Sequence, residues 1–440
     1  MPTVHAFRAL RYSPEVVPDL ARVVAPPYDV ISPEQHRALL ARDPLNVVRL
    51  DLPSGEAGDV DEDERYRRAA RLLRTWRADG VLRRDPRPSL YAYEQAYRLP
   101  GQGGGEPLVR RGVFVRLELE PFGPGSAVRP HERTMSGPKE DRYRLLRATD
   151  VNTSPVVAMY DDPSGTVATW LEAVVATAPV AADVTDASDT RHRLWVVPAD
   201  ETTEPVLAAI DRSPLTIADG HHRYETALRY RDERRRGAPS DGSAPWDELL
   251  VLALEPIAGP IAVLATHRVV RGLGPDGLAL LWRGLPSLFD VERDVDPQRL
   301  VAAFAPRAGA SVGEGRFGLW TRDGGALLYA RRDAFTDLLA ANGPAVRRLD
   351  VTRLGVALDR LLGVDTAAVD AGARIAYTKD ADEAIRWVDA ARDGADAAFL
   401  LDPTPAAEIA AVAADGDVMP QKSTYIYPKA LTGLVINPLE

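Results

Sequence analysis

Hydrophobic and polar positions change period repeatedly along the chain, and each change marks a strand or a helix. Residues 63–79 repeat at helical spacing: Tyr66, Ala69, Ala70, Leu73 and Trp76 share a face, and Gly80 follows as a stop. Residues 89–98 and 109–120 are rich in Tyr, Val and Leu and read as strands. The loop Gly101 to Gly105 between them predicts an antiparallel pair. Further strands are predicted at 156–160, 193–197 and 214–218, with helices at 165–177, 203–211 and from the 219–223 segment to 236. After these come strands at 249–255 and 261–269, helices near 275–283 and 297–304, and a hairpin across Arg322-Asp323-Gly324-Gly325. Helices at 333–341 and 345–362 precede a strand–helix–strand–helix run over 373–414. The first 60 residues look irregular, with a proline turn at Ala25-Pro26-Pro27-Tyr28-Asp29.

Strands and helices therefore mix without steady alternation, which predicts an α+β (mixed α/β) fold rather than a barrel. A chain of 440 residues suits two or three domains. The segment Arg236 to Pro245, rich in Gly, Ser, Pro and Asp, predicts a division into a phosphate-binding core at 1–237 and a C-terminal α/β region at 246–440. The second region is expected to pack on the first and to contribute to its site.

Composition narrows the functional classes. Hydrophobic residues at 45% and charged residues at 27% describe a globular chain. A net charge of −10 argues against a nucleic-acid partner or an anionic membrane surface. The longest apolar stretch, Leu249 to Ala265, is broken by Glu255, Pro256 and Pro260, so it reads as two core strands and not a membrane span. The opening residues Met1 to Arg8 have no apolar core of a signal peptide, and a cytoplasmic location is expected. Cysteine is absent, which excludes a thiol nucleophile, thiolate metal sites and disulfides. Of the 54 cationic side chains only four are lysines, Lys139, Lys379, Lys422 and Lys429. Such a skew reflects a GC-rich coding sequence, so arginine abundance by itself says little about phosphate binding.

Two polar clusters carry candidate chemistry. In Leu215-Thr216-Ile217-Ala218-Asp219-Gly220-His221-His222-Arg223 a strand ends, Gly220 permits a tight turn, and a helix starts at once. The first N–H groups of a helix lack intrahelical partners and carry the positive end of its dipole. His221, His222 and Arg223 add donors there, producing an anion site suited to phosphate. A histidine pair capping the helix, with Asp219 as N-cap, accounts for the same residues. The second cluster, Arg129 to Arg142, holds His131, Glu132, Arg133, Thr134, Lys139 and Arg142, the equipment for acid–base work beside an anion. A solvated, salt-bridged loop is its plainer reading. Thr266-His267-Arg268 at a strand end and Met419 to Lys429 near the C-terminus are lesser candidates, each with a structural alternative. No Walker-type loop, nucleophile elbow or dinucleotide fingerprint is present.

The segment Asp219-Gly220-His221-His222-Arg223-Tyr224-Glu225-Thr226-Ala227 resembles the signature helix of the ParB/sulfiredoxin-like superfamily. The whole chain resembles a large bacterial family catalogued as a domain of unknown function. The matching stretches are Ala25 to Ile31, Tyr91 to Gln95, His131 to Thr134, Asp219 to Arg223, Thr266 to Arg268 and Lys422 to Tyr425. Within the superfamily this helix start binds the phosphates of CTP in partition proteins, ATP in sulfiredoxins and ADP or ATP in free serine kinases. The His-His-Arg form looks most like the serine kinase version. A sulfiredoxin would need a cysteine in the motif, and a partition protein a helix-turn-helix after residue 237.

The resemblance thus implies a ParB/sulfiredoxin-like core with insertions and phosphoryl transfer on a small metabolite, with serine or phosphoserine as substrate. Kinase and phosphatase readings both remain open, as does a nucleotide-sensing module without turnover. The expected catalytic residues are Glu132, His131, Asp219, His222 and Asp29. Gly220, His221, His222, Arg223, Arg133, Lys139, Arg142 and Lys422 are expected to hold phosphate or nucleotide. Tyr28, Thr134, His267, Arg268, Ser423 and Thr424 are expected to contact substrate. Mg²⁺ is expected to accompany ATP or ADP, bound through phosphate oxygens. The segments 131–142 and 219–223 should then converge on one pocket.

Overall fold

The run Glu248–Leu254 shows no polar alternation because it is buried on both faces. Leu249, Val251 and Ala253 enter one core, while Leu250, Leu252 and Leu254 enter another. The computed structural model describes residues 1–102, 104–132, 136–237, 244–306, 315–364 and 374–440. In it this strand lies inside a sheet of nine described strands. The order is Val128–Arg129, Leu215–Asp219, Val156–Met159, Glu248–Leu254, Leu108–Glu118, Ser89–Tyr97, Arg191–Pro198 and Ala182–Thr185, with Val4–His5 also pairing to Leu108–Glu118. Two contacts are parallel, Leu215–Asp219 with Val128–Arg129 and Glu248–Leu254 with Val156–Met159; the others are antiparallel.

One face of this sheet is covered by three helices, Thr166–Thr177, Glu204–Asp211 and His221–Gly237, through Val167, Leu171, Val206, Ile210, Tyr224 and Ala227. The other face shares a core with a second lobe, in which Tyr93, Phe114 and Leu252 join Phe289, Phe317, Leu354 and Phe399. That lobe holds an antiparallel sheet ordered Phe289–Arg293, Gly324–Ala330, Arg316–Thr321, Ala395–Leu401, His267–Arg271 and Ile375–Thr378. The chain is of mixed α/β construction. A division after residue 237 passes through the larger sheet, since Glu248–Leu254 is bonded on both edges within it.

Several expectations need correction. The first 60 residues contain the helix Pro33–Arg42, opened by a reciprocal capping box between Ser32 and Gln35; Ser-Pro-Glu-Gln is its local signal. The predicted strand 261–269 is two strands. Ala262–Leu264 pairs with Tyr425–Tyr427 in a separate ribbon, and His267–Arg271 enters the second sheet. No single sheet can pair with a segment that crosses from one lobe to the other, so the strand breaks at Ala265 and Thr266. The predicted helix 345–362 is interrupted at Leu349, whose backbone is extended at φ −76°, ψ 133°.

Gly112 stands opposite Tyr93 on one side and Leu254 on the other. A Cβ there would lie 2.6 Å from Leu254 Cδ2 and 2.7 Å from the Ala253 carbonyl oxygen. Because the Ala253 oxygen is backbone in a central strand, it cannot yield cheaply. Gly112→Ala is expected to destabilise the chain by roughly 1–3 kcal/mol, read as a lower urea midpoint with unchanged far-UV dichroism. An unchanged midpoint would show that the sheet yields there.

Candidate functional site

The strand Leu215–Asp219 runs into Gly220, and the helix His221–Gly237 begins at the next residue. Gly220 takes φ +92°, a left-handed conformation that favours glycine. A second constraint acts on it: a Cβ at this position would lie 2.9 Å from Arg223 Nε. The guanidinium therefore packs against the bare backbone of Gly220. From there Arg223 Nη2 donates to Asp219 Oδ2 at 2.6 Å, while Nη1 donates to Ser154 Oγ at 3.2 Å and to the Pro155 carbonyl.

Asp219 accepts a second cation. Lys429 donates from Nζ to Asp219 Oδ1 across 210 residues of sequence. Burial works against ionisation of Asp219, but the charges of Lys429 and Arg223 outweigh it and hold the carboxyl far below its ordinary value. Asp219 is thus a fixed carboxylate and a weak base. Arg223, expected as a phosphate ligand, donates to Asp219, Ser154 and Pro155.

His131 and His221 meet edge to face, ring centroids 4.5 Å apart. His131 Nδ1 lies 2.5 Å from the Ile217 carbonyl oxygen, which can only accept, so Nδ1 carries the proton. Its Nε2 then accepts from the Thr424 hydroxyl at 3.0 Å. The backbone N–H of His131 donates to His221 Nε2 at 3.3 Å. Burial pushes His131 down to about 4 and, with the neighbouring His131, drives His221 well below its ordinary value. Both rings are neutral and tautomerically fixed.

These groups border a cavity of about 540 Å³. Tyr28, Asp29, Glu132, Asp219, Gly220, His221, His222, Arg223, Lys422 and Thr424 line it, so the loop after Arg129 and the 219–223 turn do reach one space. Glu132 Oε1 accepts the backbone N–H of Lys422 at 3.0 Å, and burial raises its carboxyl above the ordinary value. Lys422 occupies φ +55° at the rim. His222 is pushed down by burial, then by Lys422, against the opposing charge of Glu225.

Other expected site residues lie elsewhere. His131 has no exposed surface and sits behind the lining. Lys139 pairs with Glu225 at 2.8 Å. Arg142 is buried, donates to the Asp51 carbonyl and to Asp141, and stacks 4.2 Å over the Tyr28 ring, so it braces Tyr28 from behind. His267 is buried among strands, accepts the Leu401 N–H at 3.3 Å and is pushed down to about 3 by burial. Arg268 is buried outside the lining, with its guanidinium 5.7 Å from the Tyr377 ring centroid. The Ser423 hydroxyl turns away to the Pro420 carbonyl. Arg133 and Thr134 lie outside the described residues.

Thr266, from the candidate segment Thr266-His267-Arg268, lines the cavity, and the second lobe supplies lining that the sequence motifs do not mark: Tyr377, Thr378, Lys379 and Glu383. Lys379 Nζ donates to Tyr425 OH at 2.9 Å, and Lys379 and Lys429 lie 4.2 and 4.5 Å from the Tyr425 ring centroid. The one usable signal was lysine scarcity: three of the four lysines border this cavity.

The chain belongs to the family described as protein of unknown function (DUF1015), whose model matches residues 4–352. No curated protein matches the sequence. Among solved structures, the chain is similar to a free serine kinase in complex with AMP at 13% identity and TM-score 0.36, covering 75% of this chain and 92% of that one. A conserved hypothetical protein from Pyrococcus furiosus is similar at 13% identity and TM-score 0.33, covering 68% and 86%. SbnI with a C-terminal truncation, from Staphylococcus aureus, is similar at 12% identity and TM-score 0.33, covering 71% and 84%. Scores this low transfer no residue role.

The neutral histidines set a pH dependence. His131 protonates near 6.5 when unfolded but near 4 when folded, so its stabilising contribution is complete above pH 6.5 and is lost as pH falls toward 4. Roughly 2 kcal/mol of it should be gone by pH 5. Urea midpoints are expected to fall between pH 7.5 and 5, and His131→Asn is expected to shrink that difference. Equal pH dependence in both proteins would refute the assignment.

Proposed function

We propose that this cavity carries out phosphoryl transfer from a nucleotide to a small hydroxy amino acid, L-serine to O-phospho-L-serine. The observation that carries the reading is that one cavity joins a helix N-terminus, a base with a raised pKa and a rim lysine. The resemblance of Asp219 to Ala227 to the ParB/sulfiredoxin-like signature helix, in its serine-kinase form, supports the choice of substrate.

In this reading the N–H groups at the start of the helix His221–Gly237, with His222 and Lys422, hold the phosphates as charge develops on them. Glu132 takes the proton of the substrate hydroxyl while that oxygen attacks the terminal phosphorus. The bond from phosphorus to the nucleotide breaks, and its electron pair leaves on the nucleotide. Glu132 suits the role because burial keeps its proton affinity high, whereas Asp219 is locked by two cations. Asp29 stands at the same cavity as a second carboxylate.

Among the described residues no three His, Asp or Glu side chains cluster as a metal site. A Mg²⁺ ion would therefore be held mainly through nucleotide phosphates, with Asp29 the nearest fit among the lining carboxylates, and would neutralise phosphate charge. No helix among the described residues is long and apolar enough to cross a membrane.

Purified protein given L-serine with ATP or ADP is expected to form O-phospho-L-serine, followed by ³¹P NMR. Phosphate release from O-phospho-L-serine alone would instead favour a phosphatase. Glu132→Gln is expected to slow turnover roughly a hundredfold to ten-thousandfold while nucleotide affinity by calorimetry stays within a few-fold. Near-normal turnover in that variant would move the base role to Asp29.

A further inference from the structure

The lysine that closes the site arrives on a segment held in an unusual way. Arg110 and Gln95 stand directly opposite each other on the strands Leu108–Glu118 and Ser89–Tyr97. Both are buried, Arg110 at 2% and Gln95 at 1% relative exposure. Among the described residues Arg110 forms no ion pair with a carboxylate, an expensive state for a guanidinium. Its donors go to oxygens of another kind. Nη1 reaches the Tyr427 carbonyl at 3.1 Å, Nη2 the Pro428 carbonyl at 2.6 Å, and Nε the Gln95 Oε1 at 3.2 Å. Gln95, oriented by that contact, donates from Nε2 to the Lys429 carbonyl at 3.0 Å. Three consecutive carbonyls, 427 to 429, are thus caught by two side chains. Two residues further on, the Leu431 N–H lies 3.5 Å from Tyr93 OH, itself 2.6 Å from His192 Nδ1.

Neither Arg110 nor Gln95 lines the cavity. Burying a cation solely to satisfy loop carbonyls makes little sense for stability, since an apolar pair would pack the same space without desolvating a charge. It makes sense if the path of the segment matters, because the Lys429 ammonium must land on Asp219 Oδ1 and over the Tyr425 ring. We propose that Arg110 and Gln95 are positioning residues of the site, which set Lys429 on Asp219 by gripping the backbone on either side of it. The proposal rests on the cavity being the functional site and not on the reaction assigned to it.

The four lysines provide a readout that needs no substrate. In the full-length chain, Lys429 is expected to be slow toward an N-hydroxysuccinimide acetylating reagent, with Lys139, Lys379 and Lys422 as internal references measured by mass spectrometry. Arg110→Met and Gln95→Met remove the grip while keeping much of the volume. Each is expected to raise Lys429 acetylation relative to Lys139 about fivefold or more, the factor that the net free energy of one hydrogen bond produces. Asp219→Asn, which removes the lysine's partner directly, marks the upper limit. Unchanged Lys429 protection in a folded variant overturns the proposal. So does an equal rise at all four lysines, which would mean that the pair only supports the fold. Gln95→Met, which removes no charge, decides the matter if Arg110→Met fails to fold.

Discussion

The buried carboxylate of Asp219 is the constraint to which the rest of the site answers. A lone carboxylate in that position would be too costly to keep ionised. Two cations from different parts of the chain meet it, Arg223 one helical turn onward and Lys429 near the C-terminus. Satisfying both at once ties the end of a strand, the start of a helix and a distant extended segment to a single point. Gly220 follows from the same demand, because the Arg223 guanidinium needs the space that any Cβ would fill.

With Asp219 held as an anion, the neighbouring titratable groups separate into distinct states. Glu132, a few residues beyond the strand paired to Leu215–Asp219, shares the cavity but has no comparable cation pair among the described residues, and burial moves its proton affinity upward. His131 and His221 are driven neutral, with both ring nitrogens of His131 and the Nε2 of His221 given a defined duty by a carbonyl, a hydroxyl or an N–H. Two carboxylates of similar intrinsic chemistry are thereby pushed to opposite behaviour, the kind of split that acid–base sites use.

The cavity walls inherit rigidity from the larger sheet, which is covered on both faces and shares one core with the second lobe. Fixed walls suit a site that works by holding charges in place more than by moving them. Tyr28 illustrates the economy of the arrangement: Arg142, fastened to Asp51 and Asp141, stacks beneath it and presents it to the cavity without entering.

Local pattern carried much of this architecture. The face Tyr66, Ala69, Ala70, Leu73, Trp76 is the buried face of the helix Glu64–Ala78, and the strand–glycine–helix turn at 215–223 is where the sequence places it. Both depend on neighbours a few residues apart, where period and turn chemistry act directly. The roles within the site depended on contacts that period cannot express. His131, His267 and Arg142 look like chemistry in sequence, yet burial turns them into supports. Lys379 and Glu383 look like surface, yet the second lobe brings them to the cavity. Sequence by itself determined most of the elements and the strand–glycine–helix turn, because those are local; only the tertiary structure decided which charges meet, because Lys429, the second cation on Asp219, lies 210 residues away.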